Sequence, residues 1–217
     1  PADRPALSRH RIVIRLTIPT IEEDDLAAIR EAVASGYLVQ GRRVQALEVA
    51  IQELAGTAHA VVVSSGTAAL HLSLLALGVG PGDRVAVPAY SFLATANVVE
   101  IVGAMPIFVD IEPDTFAIDP DALERSAAQA GGVRAIIPVH PFGQLADMAG
   151  IAAAVPGAFV VEDGAAALGA TQDGRPAGGF GTLGCFSFHP RKAVTTGEGG
   201  AVTTDDAGLA RTIRMLR

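Results

Sequence analysis

Short runs of apolar and β-branched residues alternate along this chain with stretches whose apolar residues recur at helical spacing. Short β-branched runs bounded by turn residues are typical of strands. Seven segments fit this description, and we expect strands at His59–Ser64, Arg84–Pro88, Pro106–Asp110, Arg134–Val139, Ala158–Glu162, Gly184–Phe188 and Gly200–Thr204.

The stretches around these runs carry apolar residues three and four positions apart, which predicts amphipathic helices. We expect seven of them, at Ile21–Ala34, Arg43–Leu54, Thr67–Leu77, Phe92–Val102, Pro120–Ala130, Asp147–Ala154 and Asp205–Leu216. Strands that alternate with helices favour a parallel sheet covered by helices. The pattern therefore predicts an α/β fold.

The composition limits the classes of protein to consider. Half of the 217 residues are apolar, which is enough for one substantial core, and a net charge of -7 with scattered basic residues gives no footprint for a nucleic-acid backbone. The most apolar stretch, Val61–Leu77, is interrupted by Ser64, Ser65, Gly66 and His71, so it is not suited to span a membrane. We therefore expect neither nucleic acid nor a membrane as a partner.

Cysteine usage and the chain ends add three expectations. Cys185 is the only cysteine, which excludes an internal disulfide, and no cysteine and histidine cluster has zinc-ligand spacing. We therefore expect a cytoplasmic protein without a metal site. The first fifteen residues carry charges throughout and lack the features of a secretory signal. The missing initial methionine and the stop at Arg217, inside an amphipathic segment, lead us to expect a fragment.

Lys192 is the only lysine among sixteen basic residues. A lysine amine can lose its proton and attack a carbonyl, which an arginine guanidinium does not do. The alternative interpretation is an arginine-biased composition with one stray lysine. The neighbouring residues favour chemistry, because Ser187 ends a predicted strand and could donate to an anion. Glycines at positions 197, 199 and 200 would let the chain pass close to a ligand.

Residues that follow the other predicted strands suit the same kind of site, since ligands of such sheets collect beyond the carboxyl ends of the strands. After the first strand, Ser65, Gly66 and Thr67 open a helix whose free N–H groups and positive dipole end could bind a phosphate. An ordinary helix cap by serine is the alternative.

An acidic pair and one aromatic residue complete the candidate set. Glu162 and Asp163 end an apolar strand, where a carboxylate needs either a cation or several donors. A protonated ring nitrogen would supply that cation, whereas capping of the next helix is the alternative. Phe92 follows another strand and could stack on a planar ring or belong to the core.

A glycine-rich segment and two histidines have alternatives to a role in chemistry. Gly179–Gly184 has the spacing of a dinucleotide fingerprint, but a polar, glycine-rich loop precedes it and a strand follows it, so we expect no nicotinamide site there. His140 and His189 follow predicted strands and could line a site, although one hydrogen-bond partner would suffice to make either of them structural.

Phosphate donors, an acid for a ring nitrogen, an aromatic platform and one amine are what pyridoxal 5'-phosphate (PLP) requires. At this point the chain resembles the fold type I PLP enzymes, and among them the DegT/DnrJ/EryC1/StrS family of nucleotide-sugar aminotransferases. The resemblance extends from Ile18 onward and includes the region of residues 36–50. Its most specific segments are Ser65–Leu70, Pro138–Gln144, Glu162–Asp163 and Ser187–Gly200.

The resemblance implies an architecture. It is a three-layer αβα fold with a mostly parallel seven-stranded sheet, the large PLP-binding domain of fold type I. We expect this domain over residues 18–217, after an N-terminal arm of residues 1–17, with the family's C-terminal small domain absent. The resemblance also implies a homodimer with shared active sites.

The resemblance further implies roles for single residues. Lys192 would hold PLP as an internal aldimine, Asp163 would pair with the pyridine nitrogen, and Phe92 would stack on the ring. The phosphate would be held by Gly66, Thr67 and Ser187. An amino donor, typically glutamate, would then supply the amino group for a keto sugar linked to a nucleotide diphosphate. The segment Thr195–Gly200 resembles the members that act on 4-keto sugars.

One departure from the family pattern keeps other hypotheses open. Members usually carry a glutamine that contacts the phenolic oxygen of the cofactor, and this chain has Ala166 at that position. A non-catalytic scaffold or regulator is therefore one alternative, and a PLP enzyme of another reaction type is a second. Lys192 argues against the related dehydratases, which have a histidine in its place.

Overall fold

A central sheet of seven strands organises residues 17–217, the part of the chain that the structure, a computed structural model, describes. Its order is β1-β9-β8-β5-β4-β2-β3, and β6 and β7 form a separate small hairpin. The strands are β1 (His59–Val63), β2 (Arg84–Pro88), β3 (Met105–Val109), β4 (Ala135–Ile136), β5 (Phe159–Asp163), β6 (Thr171–Gln172), β7 (Arg175–Pro176), β8 (Leu183–Ser187) and β9 (Gly200–Thr204).

The sheet is mostly parallel, as predicted. Neighbouring strands from β8 through β5, β4 and β2 to β3 pair in parallel, whereas β9 lies antiparallel between β1 and β8. The carboxyl ends of six strands therefore lie at one edge of the sheet, together with the amino end of β9. This edge is where ligands of such sheets bind.

Helices cover both faces of the sheet. They are α1 (Glu23–Ala34), α2 (Arg42–Ala55), α3 (Gly66–Ala76), α4 (Ala94–Ile101), α5 (Pro120–Gln129), α6 (Met148–Ala154) and α7 (Ala207–Leu216). Successive strand residues point to opposite faces. Val85 and Val87 accordingly pack into the core beneath α3, α4 and α7, while Ala86 between them packs towards α5 and α6. The helix α2 covers β1, β8 and β9 on that second face. The predicted three-layer αβα class is confirmed.

The predicted elements are all present, but only β2 and β9 have the predicted bounds. The strand expected over Arg134–Val139 is reduced to two ladder residues, because Pro138 has no N–H to donate, although Val139 still forms an isolated parallel bridge with Asp163. The helix expected from Phe92 begins at Ala94. The hairpin of β6 and β7 and a 3-10 turn at Pro141–Gly143 were not predicted.

Helix α1 differs from the others because none of its residues is buried. Two ion pairs join it to the start of α2, where Glu31 contacts Arg42 at 2.7 Å and Arg43 at 2.8 Å. The predicted N-terminal arm lies outside the described residues apart from Thr17. Across residues 17–217 no helix combines the length and the apolar character needed to cross a membrane.

Candidate active site

The start of α3 and the end of β8 touch at the carboxyl edge of the sheet. Gly66 packs so closely on Ser187 that a Cβ at position 66 would lie 2.8 Å from the Ser187 Cβ. Gly200, the first residue of β9, packs equally closely on the Ser65 carbonyl. The structure therefore brings three predicted residues together, since Gly66, Thr67 and Ser187 surround one point.

The helix-cap interpretation holds for Ser65, and the anion site at the neighbouring N–H groups stays a prediction. The Ser65 hydroxyl accepts a hydrogen bond from the Ala68 N–H at 3.0 Å, so Ser65 is the cap of α3. The N–H groups of Gly66 and Thr67 belong to the first turn, which has no intrahelical acceptor for them. Among residues 17–217 neither N–H finds another acceptor. These two donors and the helix dipole suit a phosphate.

Asp163 is buried at the end of β5 with only part of its hydrogen-bonding capacity used. The Thr95 hydroxyl donates to one carboxylate oxygen at 2.9 Å, and the Ala165 N–H donates to the other at 3.2 Å. Each oxygen can accept a further bond. Burial raises the pKa of Asp163, while Thr95, Ala165, Lys192 and His140 oppose that rise. A cationic donor would complete the carboxylate and stabilise its charge.

The alternative interpretation of Asp163 as a helix cap is wrong, because turns and not a helix follow β5. Its bond to the Ala165 N–H closes a local turn of two residues. A second residue, Thr95, extends the network, since its hydroxyl lies 2.6 Å from that of Ser91. Sequence reasoning missed Thr95, although its spacing of four from Ser91 at a predicted helix start was a signal.

Glu162, the other acid, faces away from Asp163 and is wholly buried. Its carboxylate accepts hydrogen bonds from the N–H groups of Gly178 at 2.9 Å and Phe180 at 2.7 Å, and Gly181 donates a third at 2.5 Å. His140 Nε2 lies 3.1 Å from the same carboxylate. Every lone-pair direction of Glu162 is thus occupied, so this residue stabilises the loop before β8 and is not available to a ligand.

The position of His140 is structural. Its Nδ1 accepts a hydrogen bond from the Ala146 N–H at 3.2 Å, which places the ring proton on Nε2, where it is donated to Glu162. The side chain is wholly buried. The expectation that His140 could line the site is corrected, because both ring nitrogens are engaged inside the protein.

Lys192 lies in the loop of residues 188–199, which joins β8 to β9. The loop is held at its base, where the Phe188 N–H donates to the Gly199 carbonyl at 2.8 Å, and the Lys192 N–H donates to the His189 carbonyl at 2.8 Å. His189 is partly exposed, and its Nδ1 accepts from the Arg191 N–H at 3.2 Å. The Lys192 side chain is close enough to Asp163 for its charge to lower the pKa of that carboxyl.

Phe92 and Ala166 are both exposed at this edge. The Phe92 side chain is 76% exposed, and none of the ring pairs within residues 17–217 includes it. The core interpretation of Phe92 is therefore wrong, and an open ring face is available. Ala166 is exposed beside the 3-10 turn, where a Cβ on Gly143 would lie 3.3 Å from its carbonyl oxygen.

No group of three or more His, Cys, Asp or Glu side chains in residues 17–217 is arranged to hold a metal ion. The edge of the sheet offers two backbone N–H groups and a hydroxyl that could bind an anion, and a buried carboxylate that could bind a cation. It also carries an exposed aromatic ring and one amine. These groups fit the phosphate, the ring nitrogen, the ring and the aldehyde of PLP.

Comparison with known proteins identifies the family of this chain. The family model of the DegT/DnrJ/EryC1/StrS aminotransferase family matches residues 19–217. The solved structure of DesV from S. venezuelae is 38% identical over 90% of this chain and 53% of that chain, with a TM-score of 0.86. The PLP form of the sugar aminotransferase Spr1654 from Streptococcus pneumoniae is 32% identical over 94% of this chain and 57% of that chain, with a TM-score of 0.88.

A structure of DesI in the presence of its TDP-sugar product matches at 38% identity over 91% of this chain and 50% of that chain, with a TM-score of 0.82. The chain thus spans about half the length of these solved structures. The predicted family is confirmed, and the family's cofactor is PLP, as expected. The chain belongs to the DegT/DnrJ/EryC1/StrS aminotransferase family.

Proposed function

We propose that residues 18–217 form the PLP-binding domain of an aminotransferase that moves an amino group from glutamate to a keto sugar carried on a nucleotide diphosphate. The observation that carries this proposal is Asp163, a buried and incompletely bonded carboxylate on the same sheet edge as the only lysine of the chain. A buried acid of this kind is costly unless a cation completes it. The ring nitrogen of PLP is that cation.

Each predicted residue has a definite task in this proposal. The N–H groups of Gly66 and Thr67 and the Ser187 hydroxyl bind the phosphate, and Phe92 offers its exposed ring to one face of the cofactor. The Asp163 carboxylate accepts a hydrogen bond from the protonated ring nitrogen. The Thr95 hydroxyl, which donates to that carboxylate at 2.9 Å, fixes its orientation. Bound PLP supplies an electron sink that makes the α-proton of an amino acid removable.

Lys192 carries the proton that moves in this chemistry. Its amine would hold the cofactor aldehyde in the resting enzyme and, once released by the amino donor, would take a proton from one carbon and return it to another. Over the full cycle glutamate is oxidised to 2-oxoglutarate and the sugar ketone is reduced to an amine. The water consumed in the first half is released in the second, so atoms and electrons balance.

The choice of substrate rests on similarity. DesI was solved with its TDP-sugar product, which supports a nucleotide-sugar acceptor for this chain. The segment Thr195–Gly200 resembles members that act on 4-keto sugars, and we propose that position of the ketone. A cytoplasmic location and a homodimer with shared active sites belong to the same proposal.

Covalent trapping tests the proposal directly. The chain is mixed with PLP and reduced with borohydride, and the labelled peptide is mapped by mass spectrometry. Because Lys192 is the only lysine, we expect one side-chain label, with the α-amino group of Pro1 as the background site. Lys192→Ala is the control and should lose the side-chain label while keeping any label on Pro1.

An unlabelled Lys192 would contradict the proposal and favour the second candidate, a non-catalytic homologue that serves as a scaffold or regulator. The observation in favour of that candidate is Ala166, which cannot supply the side-chain donor that family members direct at the phenolic oxygen. A labelled Lys192 that reacts with another amino acid but not with glutamate would instead favour a PLP enzyme of another reaction type.

A further inference from the structure

Three exposed aromatic residues meet beside the candidate active site. The ring centroids of Tyr90 and Phe116 are 5.3 Å apart, those of Phe116 and Phe142 are 6.0 Å apart, and those of Tyr90 and Phe142 are 6.4 Å apart. The rings are tilted or edge-on to one another, and all three residues are exposed. We call these three residues the aromatic wall.

Two residues of the aromatic wall have an unfavourable backbone conformation. Phe116 has φ of 59° and Phe142 has φ of 55°, in the left-handed region that residues with a Cβ rarely adopt. Phe142 is nevertheless 75% exposed and Phe116 is 41% exposed, so burial in this chain does not explain the conformation. Backbone strain of this kind persists mainly at ligand sites, where the surrounding structure enforces it.

The aromatic wall adjoins the groups that surround Asp163. Tyr90 is bonded in sequence to Ser91, whose hydroxyl leads through Thr95 to the Asp163 carboxylate. Phe142 follows His140, whose N–H donates to the Asp163 carbonyl at 3.1 Å. Phe116 comes from the turn between β3 and α5 and reaches the same place. The aromatic wall therefore lies at the same edge of the sheet as Asp163, where a substrate that extends from the reacting carbon can reach it.

The two substrates of the proposed reaction differ in what such a surface can offer them. Glutamate carries two carboxylates, and an aromatic face gives a carboxylate neither a cation nor a donor. A keto sugar has C–H groups on its ring faces, and these can pack against aromatic rings and bury apolar area. The aromatic wall thus suits the sugar and not the amino donor.

We propose that Tyr90, Phe116 and Phe142 form the acceptor subsite, packing against the sugar ring and leaving the amino donor unaffected. This inference rests on the proposed function, because it names a surface for one of its two substrates. It predicts that truncating a ring of the aromatic wall weakens sugar binding and leaves the reaction with glutamate unchanged.

The test compares Phe142→Ala and Phe116→Ala with the wild-type chain, each loaded with cofactor. One measurement is the rate at which glutamate converts the cofactor to its amine form, followed by absorbance. The other is the affinity of the amine form for a TDP-linked 4-keto-6-deoxyhexose, measured by calorimetry, with the UDP- and GDP-linked sugars beside it. Phe142→Tyr restores the ring, and Phe108→Ala removes an exposed phenylalanine from edge strand β3 as the matched control.

We expect each alanine variant to lose about tenfold in sugar affinity, the amount that one aromatic contact contributes, with the glutamate rate unchanged. Phe142→Tyr and Phe108→Ala should match the wild type in both measurements. An equal loss in both half-reactions, or no loss in either, would overturn the inference. So would unchanged sugar affinity with an altered oligomeric state, which would assign the aromatic wall to a contact between copies of the chain.

The proposed function fails in a different way. A wild-type chain that does not react with glutamate contradicts the aminotransferase itself. A wild-type chain that reacts with glutamate but binds none of the three nucleotide sugars contradicts the acceptor class, and the inference falls with it.

Discussion

Two adjacent carboxylates, Glu162 and Asp163, have opposite tasks because successive residues of a strand point to opposite faces. Glu162 is surrounded by three backbone N–H groups and His140, so its charge is compensated within the protein. Asp163 receives one hydrogen bond at each oxygen and remains open on the side of the sheet edge. The first stabilises the fold, and we propose that the second binds a ligand.

Asp163→Asn should stabilise the cofactor-free chain and weaken its hold on PLP. Burial raises the pKa of Asp163, so the folded state binds a proton more readily than the unfolded state. Its destabilising effect is therefore absent below the unfolded pKa of about 4 and grows as the pH rises through the folded pKa. We expect the melting temperature of the variant to exceed that of the wild type at pH 7, with the gap closing at low pH.

The same variant cannot pair with a protonated ring nitrogen. A hydrogen bond to a charged group contributes about 1.5–3 kcal/mol, which corresponds to roughly a tenfold to hundredfold loss of PLP affinity. Melting curves across pH and a fluorescence titration with PLP measure the two effects. A variant that is less stable than the wild type at pH 7, or that binds PLP equally well, would contradict the assignment of Asp163.

At the scale of elements, the site depends on how closely α3 approaches β8. The glycine at the start of the helix permits this approach, because the Ser187 Cβ occupies the space that a side chain at position 66 would need. The same approach places the Ser187 hydroxyl beside the free N–H groups of the first turn. The position of α3 and the geometry of the proposed phosphate site thus depend on the same close contact.

Gly66→Ala should therefore damage stability and phosphate binding together. The new Cβ would lie 2.8 Å from the Ser187 Cβ, and overpacking of this kind costs about 1–3 kcal/mol. Gly80→Ala is the matched control, since its Cβ would have no neighbour nearer than 3.7 Å. Urea unfolding and competition between inorganic phosphate and PLP measure both effects.

A second substitution tests whether the close contact with Ser187 causes the loss of stability in Gly66→Ala. Ser187→Gly removes the Cβ that obstructs the alanine, so the double variant should regain stability that Gly66→Ala loses. It should not regain phosphate affinity, because the hydroxyl is gone. A double variant no more stable than Gly66→Ala would mean that the close contact is not the cause.

The strands and helices were predictable where an apolar pattern accompanies them. β2 and β9 have the predicted bounds, since β-branched residues fill them and glycine, proline or aspartate bounds them. β6 and β7 have two residues each and no apolar run, so periodicity could not find them. The candidate site residues were proposed from the resemblance and from their positions after strands. The aromatic wall is assembled from three distant loops, which no local pattern connects.

At the scale of the whole molecule, apolar surface remains uncovered. Helix α1 exposes Leu26, Ile29 and Val33 at helical spacing, and Tyr37 and Leu38 follow them in the exposed turn. Clustered apolar side chains on a surface are typical of interaction sites. The homodimer implied by the family resemblance remains a prediction.

Light scattering coupled to size-exclusion chromatography tests it on the chain as it is. We expect a mass of twice 22.1 kDa at micromolar concentration. High salt should not dissociate such a dimer, because contacts between apolar groups are not screened. A mass of one chain at every concentration would contradict the prediction.

The antiparallel direction of β9 limits how far the loop with Lys192 can move. Because β8 and β9 are adjacent antiparallel strands, the loop with Lys192 is anchored at both ends to the same sheet. β8 also pairs with β5, where Cys185 lies opposite Asp163. In the proposed reaction, the backbone positions that carry the amine and the acid therefore stay close together. The travel needed to carry a proton between carbons would come from the four-carbon lysine side chain.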